Sequence, residues 1–236
     1  MEKAIKIPQK SILLAEECGI HFGDGYMKIR DDGWGIHYEY AISEHSQDDK
    51  HYIEYVKKLM KELYNLEISY ERTDNNTFQM SYMSKRLVNF KISISVPLSP
   101  KNNLIVPIWI KENELYYCAF LRGLFDTDGS LSFKNNKHNY PCISFCSKDF
   151  KLVEEVSILL KKLGFTFNVC KHNKKASNGT WSIVWDIGIS GRKNLEKFMN
   201  LIGFNNYKHI SKHLIWQKYG FCPPNTCLKQ REEILS

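Results

Sequence analysis

Leu121-Arg122-Gly123-Leu124-Phe125-Asp126-Thr127-Asp128-Gly129 is the second of two related stretches in this chain. Ala15, Gly19, Gly23, Asp24 and Gly25 recur as Ala119, Gly123, Thr127, Asp128 and Gly129, each 104 positions later. Small residues at i, i+4 and i+8 share one helix face. Each copy ends that face in a carboxylate followed by glycine. Two such helices can pack with close backbones on Ala15, Gly19, Ala119 and Gly123, bringing Asp24 and Asp128 together at their ends. Two close carboxylates repel, so the arrangement calls for a divalent cation. One Asp-Gly after a helix is ordinarily just a turn. Two copies at a fixed offset, each behind a matching stripe, point to a shared site.

Working outward, Ser11 is the expected N-cap of a helix through Gly23. Tyr26 to Arg30 alternates as a strand, Asp31-Asp32-Gly33 turns, and Gly35 to Ser43 returns. Ile53, Val56, Leu59, Met60 and Leu63 lie at helical spacing behind Asp48-Asp49. Strands are expected at Leu66 to Glu71 and Thr77 to Tyr82, and a helix near Lys85 to Ile92. Pro97, Pro100, Asn102, Asn103 and Pro107 interrupt this order and read as a linker.

The second half repeats the order. A helix from about Glu112 reaches Asp128-Gly129, a strand runs Ser130 to Lys134, Asn135-Asn136 turns, and Pro141 to Ser147 returns. Val153, Val156, Leu159, Leu160 and Leu163 form a helix face 100 positions after the first-half set, so the first hairpin holds four more residues than the second. Strands near Phe165 to Lys171 and Thr180 to Ile189 and a helix near Lys193 to Ile202 follow. Gly164 and Gly203 read as helix stops. Ile210 to Tyr219 is an extra helix, with Thr226 the expected cap of a short closing one. The domain reading is residues 1–98, a linker 99–111, residues 112–204, and an extension 205–236 that braces one half.

Lys and Arg outnumber Asp and Glu, 33 to 26, giving +7. That balance suits an acidic partner, nucleic acid ahead of a membrane surface. At 43% hydrophobic residues the chain can bury a core, which excludes a disordered reading. Its seven cysteines form no paired CxxC set, so a zinc site is not expected. They read as reduced, mostly buried thiols of an intracellular protein. Met1 to Gln9 lacks an apolar signal core, and no stretch reaches membrane-spanning length. Asp126 to Ser130 fails as an EF-hand, because the closing glutamate position would hold Asn135.

The tandem pattern resembles the LAGLIDADG homing endonucleases. Residues 121–129 match six of the nine signature letters. Glu17-Cys18-Gly19-Ile20-His21-Phe22-Gly23-Asp24-Gly25 is a weaker copy, with Phe22 at the first-aspartate position. The resemblance implies an α+β fold: two pseudo-symmetric α-β-β-α-β-β-α subdomains packed through their motif helices, with antiparallel sheets forming a saddle on DNA. A chain holding both motifs is similar to the monomeric members. By the same resemblance, Asp24 and Asp128 bind magnesium, with manganese or calcium able to substitute for binding, and Gly23 and Thr127 offer backbone carbonyls. Lys148 and, in the first half, Gln47 are the expected polar groups that organise water, while Asp48 is expected to cap its helix.

Alternate residues share a sheet face. Tyr26, Lys28 and Arg30 correspond to Ser130, Ser132 and Lys134, hydroxyls and cations suited to base edges and phosphates. Lys137, His138, Lys171, His172, Lys174 and Lys175 add charge on nearby turns. Trp181 and Trp185 share a face expected to pack in the core. The activity so implied is site-specific cleavage of double-stranded DNA at a long asymmetric site. The alternatives are an RNA maturase that binds intron RNA, and a catalytically inactive DNA-binding protein. The chain lacks a terminal His-Asn pair, so an intein-embedded origin is not expected.

Overall fold

A computed structural model describes residues 5–135, 137–175 and 179–236. Residues 1–4 and Asn136, which entered the N-terminal and hairpin readings, lie outside the described residues. The chain divides into two compact units, residues 1–101 with 107–127, and residues 102–106 with 128–236.

The first unit comprises α1 (Ile12–Asp24), β1 (Gly25–Asp31), β2 (Ile36–His45), α2 (Lys50–Tyr64), β3 (Tyr70–Asp74), β4 (Thr77–Met83), α3 (Lys85–Ser93), α4 (Ile108–Lys111) and α5 (Glu114–Thr127). Its antiparallel sheet has the order β1-β2-β4-β3. The second motif helix, α5, clusters with this unit because it packs on α1, whereas the sequence reading grouped it with the residues that follow it.

Local chemistry accounts for the element ends. The Ser11 hydroxyl accepts from the Leu14 N–H at 3.2 Å and starts α1. Ser84 starts α3 in the same way, on the Leu87 N–H. α2 buries Ile53, Val56, Leu59, Met60 and Leu63, the face its periodicity predicts. It stops at Asn65 in the left-handed region, φ 55°. Asp49, not Asp48, stands at its N-cap, and the Asp49 carboxylate accepts the His45 N–H at 3.1 Å.

The second unit comprises β5 (Gly129–Lys134), β6 (Tyr140–Ser147), α6 (Phe150–Lys162), β7 (Asn168–Lys175), β8 (Trp181–Ser190), α7 (Arg192–Leu201), α8 (Tyr207–Tyr219) and α9 (Leu228–Leu235). Its antiparallel sheet, β5-β6-β8-β7, repeats the order of the first. Asp149 caps α6 on the Leu152 N–H at 3.0 Å. β7 begins later than its apolar residues suggest. Phe165 leaves the ladder to pack on Phe198, ring centroids 6.3 Å apart.

The extension braces this unit. Trp216 of α8 stacks on Phe133 of β5 at 5.6 Å, and buried Arg231 of α9 donates to the Ser211 hydroxyl at 3.0 Å and to the Thr226 carbonyl. Thr226 does not cap α9. Its hydroxyl donates to the Pro223 carbonyl at 3.2 Å, and Cys227 takes the N-cap position. Among the described residues no helix is long and apolar enough to cross a membrane.

Candidate catalytic cleft and nucleic-acid face

The two motif helices pack backbone to backbone. A Cβ built on Gly19 would stand 2.0 Å from the Phe120 carbonyl oxygen, and one on Gly123 would stand 2.2 Å from that of Glu16. Only glycine permits this approach. Ala15 and Ala119 are buried on the same helices.

This packing carries α1 to its end at Asp24, on the wall of a cavity of about 550 Å3 that Gly23, Tyr26, Lys28 and Lys101 also line. The C-terminus of α1 is a cluster of carbonyl oxygens at the negative end of the helix dipole. Lys101 occupies it: its ammonium donates to the carbonyls of His21 at 2.7 Å, Phe22 at 3.0 Å and Gly23 at 2.6 Å. Sequence reading placed Lys101 in a linker and missed it. Its only sequence signal is a lysine beyond two prolines, which is no signal of reach.

In the second half, α5 ends at Thr127, whose hydroxyl donates to the Gly123 and Leu124 carbonyls at 3.1 and 3.0 Å. Asp128 follows and is exposed. Lys148 is exposed and borders a second cavity with Cys146, Lys174 and Ser182. Gln47 sits exposed in the turn before α2, its N–H 3.4 Å from His45 Nδ1, and is not among the residues lining the Asp24 cavity. Lys212 of α8 donates to the Leu131 carbonyl of β5 at 3.1 Å, a cation beside Ser132 that sequence reading also missed.

The strand registers define the faces. Tyr26, Lys28 and Arg30 stand opposite Ala41, Glu39 and His37, and the row continues through Ser81, Gln79 and Arg72. The other face of this sheet carries the buried Met27, Tyr40, Ile42, Met80 and Tyr82. In the second sheet Ser130, Ser132 and Lys134 stand opposite Ser144, Cys142 and Tyr140. The Ser130 and Ser144 hydroxyls bond at 2.9 Å. Lys137 is exposed at the hairpin turn, with His138 beside it. His172 and Lys174 share this polar face.

Lys171, His172, Lys174 and Lys175, expected on turns, are all residues of β7. Lys171 and Lys175 are strand residues of the opposite face, where their ammonium groups lie 5.8 and 5.9 Å from the Trp185 and Trp181 rings. Trp181 is not core. It is 64% exposed at the start of β8, whereas Trp185 is half-buried against Phe150 at 5.0 Å.

Beneath the cleft, α1 carries two buried carboxylates. Glu16 accepts from Tyr55 at 2.5 Å and from Arg122 of α5 at 2.6 and 3.0 Å, locking the motif helices to α2. Glu17 accepts from Tyr40 at 2.5 Å, from Tyr64 at 3.0 Å and from Lys91, all buried. Burial raises the Tyr40 and Tyr64 hydroxyls far above the usual tyrosine range, and the Glu17 charge adds to this. His21 is buried on Tyr40, and burial, with the charges of Lys91 and Lys101, holds its imidazole well below the usual histidine range.

The donors fit a hard divalent cation. Asp24 offers carboxylate oxygen on the cavity wall and Gly23 a carbonyl oxygen, which a metal would share with the Lys101 ammonium now 2.6 Å from it. Among the described residues no group of three His, Cys, Asp or Glu side chains could hold a metal, so carbonyls, water or a phosphate must complete the shell.

Residues 115–203 match the LAGLIDADG-like domain family. A probable translation initiation factor IF-2 of Methanocaldococcus jannaschii is 30% identical over 167 residues, 67% of this chain and 14% of that protein. The chain thus spans a small fraction of this curated relative. The homing endonuclease I-DmoI, in complex with DNA and Mn, superposes with a TM-score of 0.57 at 20% identity, covering 81% of this chain and 96% of that one. Further I-DmoI complexes with DNA were obtained in the presence of Mg and with Ca. Meganuclease I-SmaMI bound to uncleaveable DNA gives 0.55 at 13% identity, covering 89% and 91%. At these identities the structural likeness shows the fold.

Proposed function

We propose that this chain, a LAGLIDADG protein by its 115–203 domain and its two-sheet homing endonuclease fold, is a site-specific double-strand DNA endonuclease. The observation that supports it most is the end of α1: a carboxylate, a carbonyl cluster and the Lys101 ammonium around one cavity, at the foot of a strand bearing Tyr26, Lys28 and Arg30. A cation and an acid side by side suit a phosphodiester, whose charge must be both attracted and stabilised as it is cleaved.

In this reading Asp24 with the Gly23 carbonyl, and Asp128 with the Thr127 carbonyl, would hold divalent metal, which would supply Lewis acidity and lower the pKa of an attacking water. Each acid serves one strand, so one chain cuts both. Lys101 leans its positive charge toward the scissile phosphate of its strand, and Lys148 and Lys212 are the candidates for the other. Gln47, exposed in the turn before α2, is the candidate for ordering water in the first half. Tyr26, Lys28, Arg30, Ser130, Ser132, Lys134 and Lys137 bind the duplex over a long asymmetric site, phosphate contacts fixing register and base-edge contacts sequence.

The test incubates the protein and magnesium with a randomised duplex library, alongside Asp24→Asn and Asp128→Asn. Double-strand cleavage by the wild type alone is expected. Binding to duplex without cleavage indicates the inactive DNA-binding reading. Preference for structured intron RNA indicates the maturase.

A further inference from the structure

We propose, resting on the nuclease reading, that His21 is a positioning residue: it fastens the Pro97–Lys101 segment so that the Lys101 ammonium stays at the end of α1 beside Asp24. The imidazole is fully buried and stacks on Tyr40, ring centroids 5.4 Å apart at 21°. Its Nε2 donates to the Pro97 carbonyl at 2.9 Å. Two further bonds then hold the segment to β1: the Ser99 N–H donates to the Met27 carbonyl at 2.7 Å, and the Met27 N–H donates to the Ser99 hydroxyl at 3.2 Å. Lys101 reaches the α1 carbonyls from this anchored strip.

The duplication isolates what the histidine adds. Phe125 occupies the equivalent position 104 residues later and is fully buried. An aromatic ring thus satisfies packing at this helix position, and His21 contributes a donor that phenylalanine lacks. The arrangement costs stability, since Nδ1 is buried with no partner among the described residues. Gly25 makes room for the ring: a Cβ there would stand 2.5 Å from Nδ1. Ring tilt is set from below, because Tyr40 is itself held by Glu17.

The wild-type protein gives the first test. Nitrogen chemical shifts of the His21 ring should report a proton on Nε2, the nitrogen that faces the Pro97 carbonyl. Protonation on Nδ1 removes the donor and overturns the proposal. In His21→Phe the ring stack is kept and the donor is removed. Exchange of the Ser99 amide should then quicken about tenfold or more while the α1 amides hold. His21→Gln, which restores an N–H, should recover it. On a duplex selected from the library, His21→Phe should lower kcat about tenfold or more with duplex affinity unchanged. That loss should vanish in a Lys101→Met background. Unchanged Ser99 exchange, or an equal kcat loss in that background, overturns the proposal. If the wild type cuts no duplex, the nuclease reading fails, and the ring shifts and amide exchange still decide whether His21 anchors the segment.

Discussion

Gly19 of α1 and Phe120 of α5 are in backbone contact, a methyl on Gly19 falling 2.0 Å from the Phe120 carbonyl oxygen. The obstacle is a helix backbone, which cannot rotate aside as a flexible side chain would. Gly19→Ala and Gly123→Ala should each destabilise the protein by about 3 kcal/mol through forced helix separation. Gly35→Ala, where added volume meets nothing within 4 Å, should change stability by less than about 0.5 kcal/mol. Urea unfolding of the three variants measures the contrast.

Lys91 and Glu17 form an ion pair with both side chains fully buried. Lys91→Met leaves the Glu17 carboxylate with two tyrosine donors and no cation. The expected loss is about 3–5 kcal/mol. Lys91→Met with Glu17→Gln should be more stable than Lys91→Met alone, because the unpaired charge is gone. Thermal unfolding of single and double variants decides this.

Burial pushes the Cys18 thiol up to about 12 from an ordinary 9.0. The unfolded thiol then loses its proton near pH 9 while the folded one keeps it. Its contribution to stability is therefore complete below pH 9 and declines as pH rises toward 12. Stability should fall over that window, with a shallower slope in Cys18→Ala. At neutral pH a thiol reagent should label the exposed Cys170 and Cys227 and spare Cys18 until the protein unfolds.

Asp24→Asn and Asp128→Asn should each reduce cutting of one strand about 100-fold or more, turning double-strand breaks into nicks on opposite strands. Strand-specific end labels on a selected duplex read this directly. Chelation by EDTA should stop cleavage by the wild type and leave duplex binding measurable.

Lys28 and Arg30 project from the polar face of β1 and are exposed. Replacing either with methionine should flatten the logarithmic salt dependence of duplex binding by about one unit for each phosphate the cation had neutralised. An unchanged slope in both variants removes them from the interface.

The sequence exposes its local rules well. Ser11 and Ser84 cap helices and Ile53 to Leu63 face a core because each depends on neighbours within a few residues. Strand starts are less legible. Phe165 has the β-propensity of a strand residue, yet it packs on Phe198, a partner 33 positions away. Trp181 and Trp185 have the same parity, yet Trp181 stands in solvent and Trp185 packs against Phe150, a difference set by neighbours distant in sequence.

Repetition at offsets of 104 and then 100 positions, helical stripes and turn residues are properties of the chain itself, and they determined the doubled architecture, the sheet faces and the two terminal acids. Tertiary structure alone decided that Lys101 crosses 78 positions to the Gly23 carbonyl, that Lys91 meets Glu17, and that His21 grips Pro97. The reason is physical: a periodic face is encoded by adjacent residues, whereas a charge or donor buried against a distant partner leaves no period, and its neighbour exists only once the chain has folded.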